Sequence, residues 1–123
     1  MRAALLLAAV LAAAPAAAQD AAAPFEKSLL GLSELLGALH YLRPLCRAPE
    51  GDAWRARMAA LLDAESAAPA ALRERMAGAF NHGYATAHEG YHTCTPRARL
   101  LAQHYLDQGA ALAEDIARRH GGS

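Results

Sequence analysis

His88-Glu89-Gly90-Tyr91-His92 is the arrangement in this chain that most resembles chemistry. Two histidines four residues apart on a helix share a face and can hold one zinc ion, with the intervening glutamate as general base. A third ligand has to come from elsewhere. Position 98 is Ala where a longer zinc motif places another histidine, which leaves Glu114, beside Asp115, as the reachable carboxylate. Gly90 weakens the helix that must hold both imidazoles. With six histidines in the chain, a chance match is a real competitor. A zinc-dependent hydrolase using His88, Glu89 and His92 is therefore the alternative reading, and the leading reading has no catalytic residue, metal or other cofactor. His40, His82 and His104 fall at the edges of apolar stripes, where packing explains an imidazole as well as ligation does. Asp63 and Glu65 are two apart, so a helix turns them to different faces. Ser28, Ser33 and Ser66 have no His–Asp arrangement nearby. Arg97 and Arg99 open a helix, where a cation needs an anion or a carboxylate to offset the dipole.

Cys46 and Cys94 are the other reactive pair. Redox catalysts place their thiols close together, as in C-x-x-C, and that spacing is absent. In an exported chain two cysteines oxidise to a structural disulfide. Export is what the first residues suggest. Met1-Arg2 is followed by an apolar run over 3–14 and the small residues Ala16 and Ala18, the pattern of a cleaved signal peptide over 1–18. The run is shorter than the roughly 20 residues a permanent span needs, so no stable membrane span is expected in the mature chain. The expected location is the periplasm or the medium.

The chain has 123 residues, with 12 basic and 12 acidic side chains and 54% apolar residues. Balanced charge provides no field for a phosphate backbone and so excludes nucleic acid as a partner class. The apolar share excludes a disordered chain, and the length fits one domain.

These residues must be positioned by helices. After a flexible segment over 19–24, Leu29, Leu32, Leu35, Leu36, Leu39 and Leu42 form one apolar stripe. Pro44 predicts that this first helix stops at Arg43. Asp52 can cap a second helix carrying Trp54, Met58, Leu61 and Leu62. A third follows Pro69 with Leu72, Met76, Phe80, Tyr84, Ala87 and Tyr91 on its apolar line, and Gly78, Gly83 and Gly90 predict a kink or fraying in its lower half. Thr95-Pro96 signals the start of a fourth, which buries Leu101, Tyr105, Leu112 and Ile116 and stops before a 121–123 tail. No segment alternates as a strand. The expectation is an all-α chain, a small bundle of about four helices in one domain over 25–120. The disulfide would pin one end.

Several stretches resemble an uncharacterised family of small exported alphaproteobacterial proteins with two well-separated cysteines. They are Leu36-Gly37-Ala38-Leu39-His40-Tyr41-Leu42-Arg43-Pro44-Leu45-Cys46, Trp54-Arg55, Leu61-Leu62-Asp63-Ala64-Glu65, Ala79-Phe80-Asn81-His82-Gly83-Tyr84 and Tyr91-His92-Thr93-Cys94-Thr95. The resemblance implies export and a Cys46–Cys94 disulfide, and it implies no activity. An arginine is more usual at the position of His92, which makes the zinc-like motif a peculiarity of this chain. The resulting expectation is a non-enzymatic exported helical module acting through an unknown protein or cell-envelope partner. Its contact surface would gather Tyr41, Arg43, Trp54, Asn81, Tyr91 and Arg97 at the pinned end, since aromatic and arginine side chains suit such patches. The competing reading of Trp54, Tyr84 and Tyr91 is that they are core.

Overall fold

The computed structural model describes residues 8, 9 and 16–121. The signal peptide expected over 1–18 lies for the most part outside the described residues, as do residues 122 and 123. Four helices account for the secondary structure described: α1 (Ala16–Leu45), α2 (Ala53–Ala64), α3 (Ala70–Gly90) and α4 (Pro96–Gly121). The all-α expectation holds, with no strand among the described residues.

α1 is the hub. Its six stripe leucines, Leu29, Leu32, Leu35, Leu36, Leu39 and Leu42, are all at most 8% exposed. A stripe of leucines would cover one flank. α1 is instead enclosed on several sides, because Ser33 and Ala38 are buried too. The Ser33 hydroxyl is satisfied within the helix, donating to the Leu29 carbonyl at 2.7 Å. α2, α3 and α4 each pack on α1, and α3 also meets α2; no Cα of α4 comes within 8 Å of a Cα of α2 or α3.

α1 differs from expectation at both ends. It starts at Ala16 rather than at Phe25, so that the 19–24 stretch expected to be loose is helical. The alanines there are strong helix formers. At the other end it passes Pro44 and stops at Leu45. The reason is a terminal hydrogen-bond exchange: Arg47 N–H donates to the Pro44 carbonyl at 3.0 Å and Ala48 N–H to the Arg43 carbonyl at 2.9 Å. This is the Schellman pattern, and it needs a left-handed residue just past the cap. Arg47 supplies it with φ 60°. Glycine is the usual residue there, and its absence hid the stop from sequence reasoning.

α2 begins after Asp52, as expected, but the carboxylate makes no cap hydrogen bond. Trp54 and Met58 are buried, while Leu61 and Leu62 are half-buried. α3 runs unbroken through Gly78 and Gly83 to Gly90, against the expected kink. Gly83 is where α3 meets α1. A Cβ there would sit 2.0 Å from the Glu34 carbonyl oxygen, and one on Gly37 would sit 1.9 Å from the Phe80 carbonyl oxygen. The two glycines let the helix backbones touch, which offsets glycine's entropic cost. The contact line on α3 therefore runs through Leu72, Met76, Gly83 and Ala87, all buried. Tyr84, expected in the core, lies one step around the helix and is 39% exposed.

α4 starts as expected. The Thr95 hydroxyl accepts the Ala98 N–H at 3.0 Å, with Pro96 in the first helical position. Its buried residues are Ala98, Ala102 and Ile116. Leu101, Tyr105 and Leu112, expected to be core, are half-buried, because α1 is the one helix whose backbone α4 approaches closely.

Candidate functional site

The strongest concentration of chemically capable side chains lies where the end of α1 meets the end of α3. Cys46 and Cys94 are joined there, their Cα atoms 5.0 Å apart. The bond ties the end of α1 to the joint between α3 and α4, as expected from the sequence.

Beside this corner the rings of α1 and α3 interleave. The Tyr41 ring meets Tyr84 edge-on at 5.5 Å and His88 edge-on at 5.1 Å, and Tyr84 and His88 stack at 6.4 Å. His40 lies 5.8 Å from Phe80 and 5.7 Å from Tyr84. Tyr84, His88 and His92 are exposed, whereas Tyr41 is half-buried. Edge-to-face and offset stacks at these separations are mutually attractive. The Tyr41 hydroxyl donates to the Tyr91 carbonyl, which fastens the ring cluster to the segment leading to Cys94. Helical spacing explains the set. Tyr84 and His88 are four apart on α3 and share a face, and Tyr41 reaches across the close α1–α3 crossing.

This geometry does not favour the zinc motif. α3 ends at Gly90, and Tyr91 is extended with φ −138° and ψ 121°. His92 is thus off the helix that would have set it above His88. The two imidazoles stand perpendicular with centroids 6.2 Å apart. No group of three His, Cys, Asp or Glu side chains able to hold a metal is present among the described residues. Glu114, the reachable third ligand, lies 3.9 Å from Arg118, and Asp115 accepts from Ser28 and pairs with Arg119. His88 belongs to a ring stack, and the helix stop at Gly90 is the physical reason.

Of the six residues expected to form one contact patch, five are at least partly exposed and one is buried. Tyr41 and Tyr91 adjoin, as the hydrogen bond between them requires. Arg43 is engaged by Glu50 in a half-buried ion pair, each side chain 28% exposed. That hydrogen bond, with the charge of Arg43 behind it, outweighs desolvation and lowers the Glu50 carboxyl below its ordinary 4.5. Trp54 is 5% exposed and belongs to the core, so it is withdrawn from the surface set. Asn81 is exposed on α3, on a shallow cleft shared with Arg55 and Met58 of α2. Arg97 is exposed in the first turn of α4 and pairs with no carboxylate among the described residues.

Sequence reasoning missed three features. Tyr84 falls on the apolar line of α3 yet is exposed; Gly83, opposite Gly37 of α1, is the signal that a backbone crossing displaces it. His40 was treated as a stripe-edge residue, yet it is part of the ring cluster, with a buried Nδ1 that has no hydrogen-bond partner. Arg57 was not singled out, although its guanidinium lies 4.5 Å over the Trp54 ring; the three-residue spacing was its signal.

No curated protein and no solved structure resembles the chain closely enough to match. Residues 24–120 match a family described as "Protein of unknown function (DUF2385)". That span takes in the hub helix from Pro24 onward, both cysteines and the ring cluster. The chain belongs to this family of unknown function.

Proposed function

We propose that this chain is a non-enzymatic module of the periplasm or the medium that works by contact, and that Tyr41, Tyr84, His88 and His92 form its contact strip. The observation that carries the reading is the exposed ring stack set on a covalently fixed corner. Rigid aromatic and imidazole side chains lose little conformational freedom on binding and contribute much of the energy at protein contacts. The disulfide and the two-glycine crossing hold the strip in place before any partner arrives, which lowers the ordering cost. The signal-like residues ahead of 19 and the oxidised cysteine pair support export.

In vivo photo-crosslinking tests this. A photoreactive residue at position 84 or 92 is expected to yield one discrete adduct, and one at position 118 none. Tyr41→Ala with His88→Ala should abolish the adduct from position 92 while the chain remains folded by circular dichroism. Adducts of equal yield from position 118, or none from any position, would overturn the proposal.

A further inference from the structure

The backbones of α2 and α4 stay more than 8 Å apart, and a groove of about 430 Å³ opens between them. Its floor is Leu36 and Leu39 of α1, and its sides include Leu61 of α2 and Leu106 and Ala110 of α4. The volume falls within the ~300–1,000 Å³ range of small-molecule sites, which are characteristically apolar with few polar groups. Only one lining side chain is charged. Arg57 stands at the rim with its guanidinium held over the Trp54 ring. No Asp or Glu lines the groove, and Arg57 has no carboxylate partner among the described residues.

We propose that this groove binds a free fatty carboxylate, with the acyl chain lying along α1 between α2 and α4 and the carboxylate meeting Arg57. The walls suit a single hydrocarbon chain and present almost nothing that a polar ligand could pair with. The guanidinium matches a carboxylate in shape as well as charge, forming two parallel N–H···O bonds. Stacking on Trp54 sets its orientation in advance. Charge decides between a free acid and a bilayer surface. Recruitment to an anionic membrane takes a cluster of basic residues, whereas this chain balances 12 basic against 12 acidic side chains and offers one cation at the groove. No backbone seam closes the groove, because no Cα of α4 comes within 8 Å of a Cα of α2.

The chain has a single tryptophan, Trp54, and it lines the groove. Its fluorescence therefore reports occupancy directly. Dodecanoate added to the full oxidised chain below its micelle concentration is expected to give a saturable change, with one ligand per chain by equilibrium dialysis. Ala113→Phe places a ring in the groove from an exposed position and should abolish binding with the melting temperature unchanged. Arg57→Met, also at an exposed position, should weaken dodecanoate about tenfold, the loss of a solvent-screened, charge-assisted pair of hydrogen bonds, while leaving dodecanol unaffected. No saturable response would overturn the proposal, as would undiminished binding by Ala113→Phe. Equal weakening of dodecanol by Arg57→Met would also overturn it, as would binding to phosphatidylglycerol vesicles without binding to free dodecanoate.

Discussion

α3 and α4 are both long helices packed on α1, yet they are held in opposite ways. At the α3 seam two backbones touch through Gly37 and Gly83, with buried Leu72, Met76 and Ala87 along the line. At the α4 seam the glycines are spectators. A Cβ on Gly31 or Gly109 would come no closer than 3.7 Å or 3.9 Å to a leucine methyl. α4 is tied covalently only near its start, by the neighbouring disulfide, and beyond it by side chains such as Ile116 and the Ser28–Asp115 hydrogen bond. One seam is an interlock that presents a rigid ring strip. The other is a hinge-like support that leaves a groove. Close packing gives precision at the first, and its absence gives room at the second.

Removing the disulfide should have the largest effect, because it both closes a long loop and anchors the start of α4. With the cysteines 48 positions apart, a Cys46→Ser, Cys94→Ser chain should lose about 4 kcal/mol of stability in the loop-entropy picture. Urea unfolding measures it, and an unchanged midpoint would refute the anchoring role. Next come the glycines. Gly83→Ala and Gly37→Ala each drive a methyl into a facing carbonyl and should cost about 3 kcal/mol or more. Gly109→Ala, by contrast, should stabilise by about 0.5–1 kcal/mol through helix propensity. Equal effects at positions 83 and 109 would erase the distinction between the seams. Thr95→Ala should cost about 1 kcal/mol through loss of the cap, read as a lower melting temperature.

The smallest expected effect is a pH dependence from the Arg43–Glu50 pair, which joins the end of α1 to the loop before α2. Arg43 lowers the folded Glu50 carboxyl below its unfolded value of 4.5. The sign follows: the pair's contribution is complete above 4.5 and disappears as pH falls through the depressed folded value. Glu50→Gln should therefore flatten the fall in melting temperature between neutral and acid pH. An identical acid slope in the variant would mean the pair contributes nothing.

The leucine stripe, the Thr95-Pro96 start and the Cys46–Cys94 pairing were legible because each rests on local chemistry: a helical period, a cap and a redox rule. What escaped was set between elements. Gly37 and Gly83 read as helix weakeners one at a time, and only their apposition makes them a seam that pushes Tyr84 outward. The α1 stop was hidden because Arg47 takes a conformation usually given to glycine. The zinc-like motif looked coherent as a string, but its helix ends between the two histidines. Trp54 has the right composition for a contact patch and is instead packed under Arg57.

Native-state hydrogen exchange measured by NMR on the oxidised chain tests the two-seam account most directly. Amides of α3 between Met76 and Ala87 should exchange only through global unfolding. Amides in the second half of α4, beyond Gly109, should open at distinctly lower free energy and with small denaturant dependence, as a separate unit. Equal protection of α3 and α4, both tracking global unfolding, would contradict it.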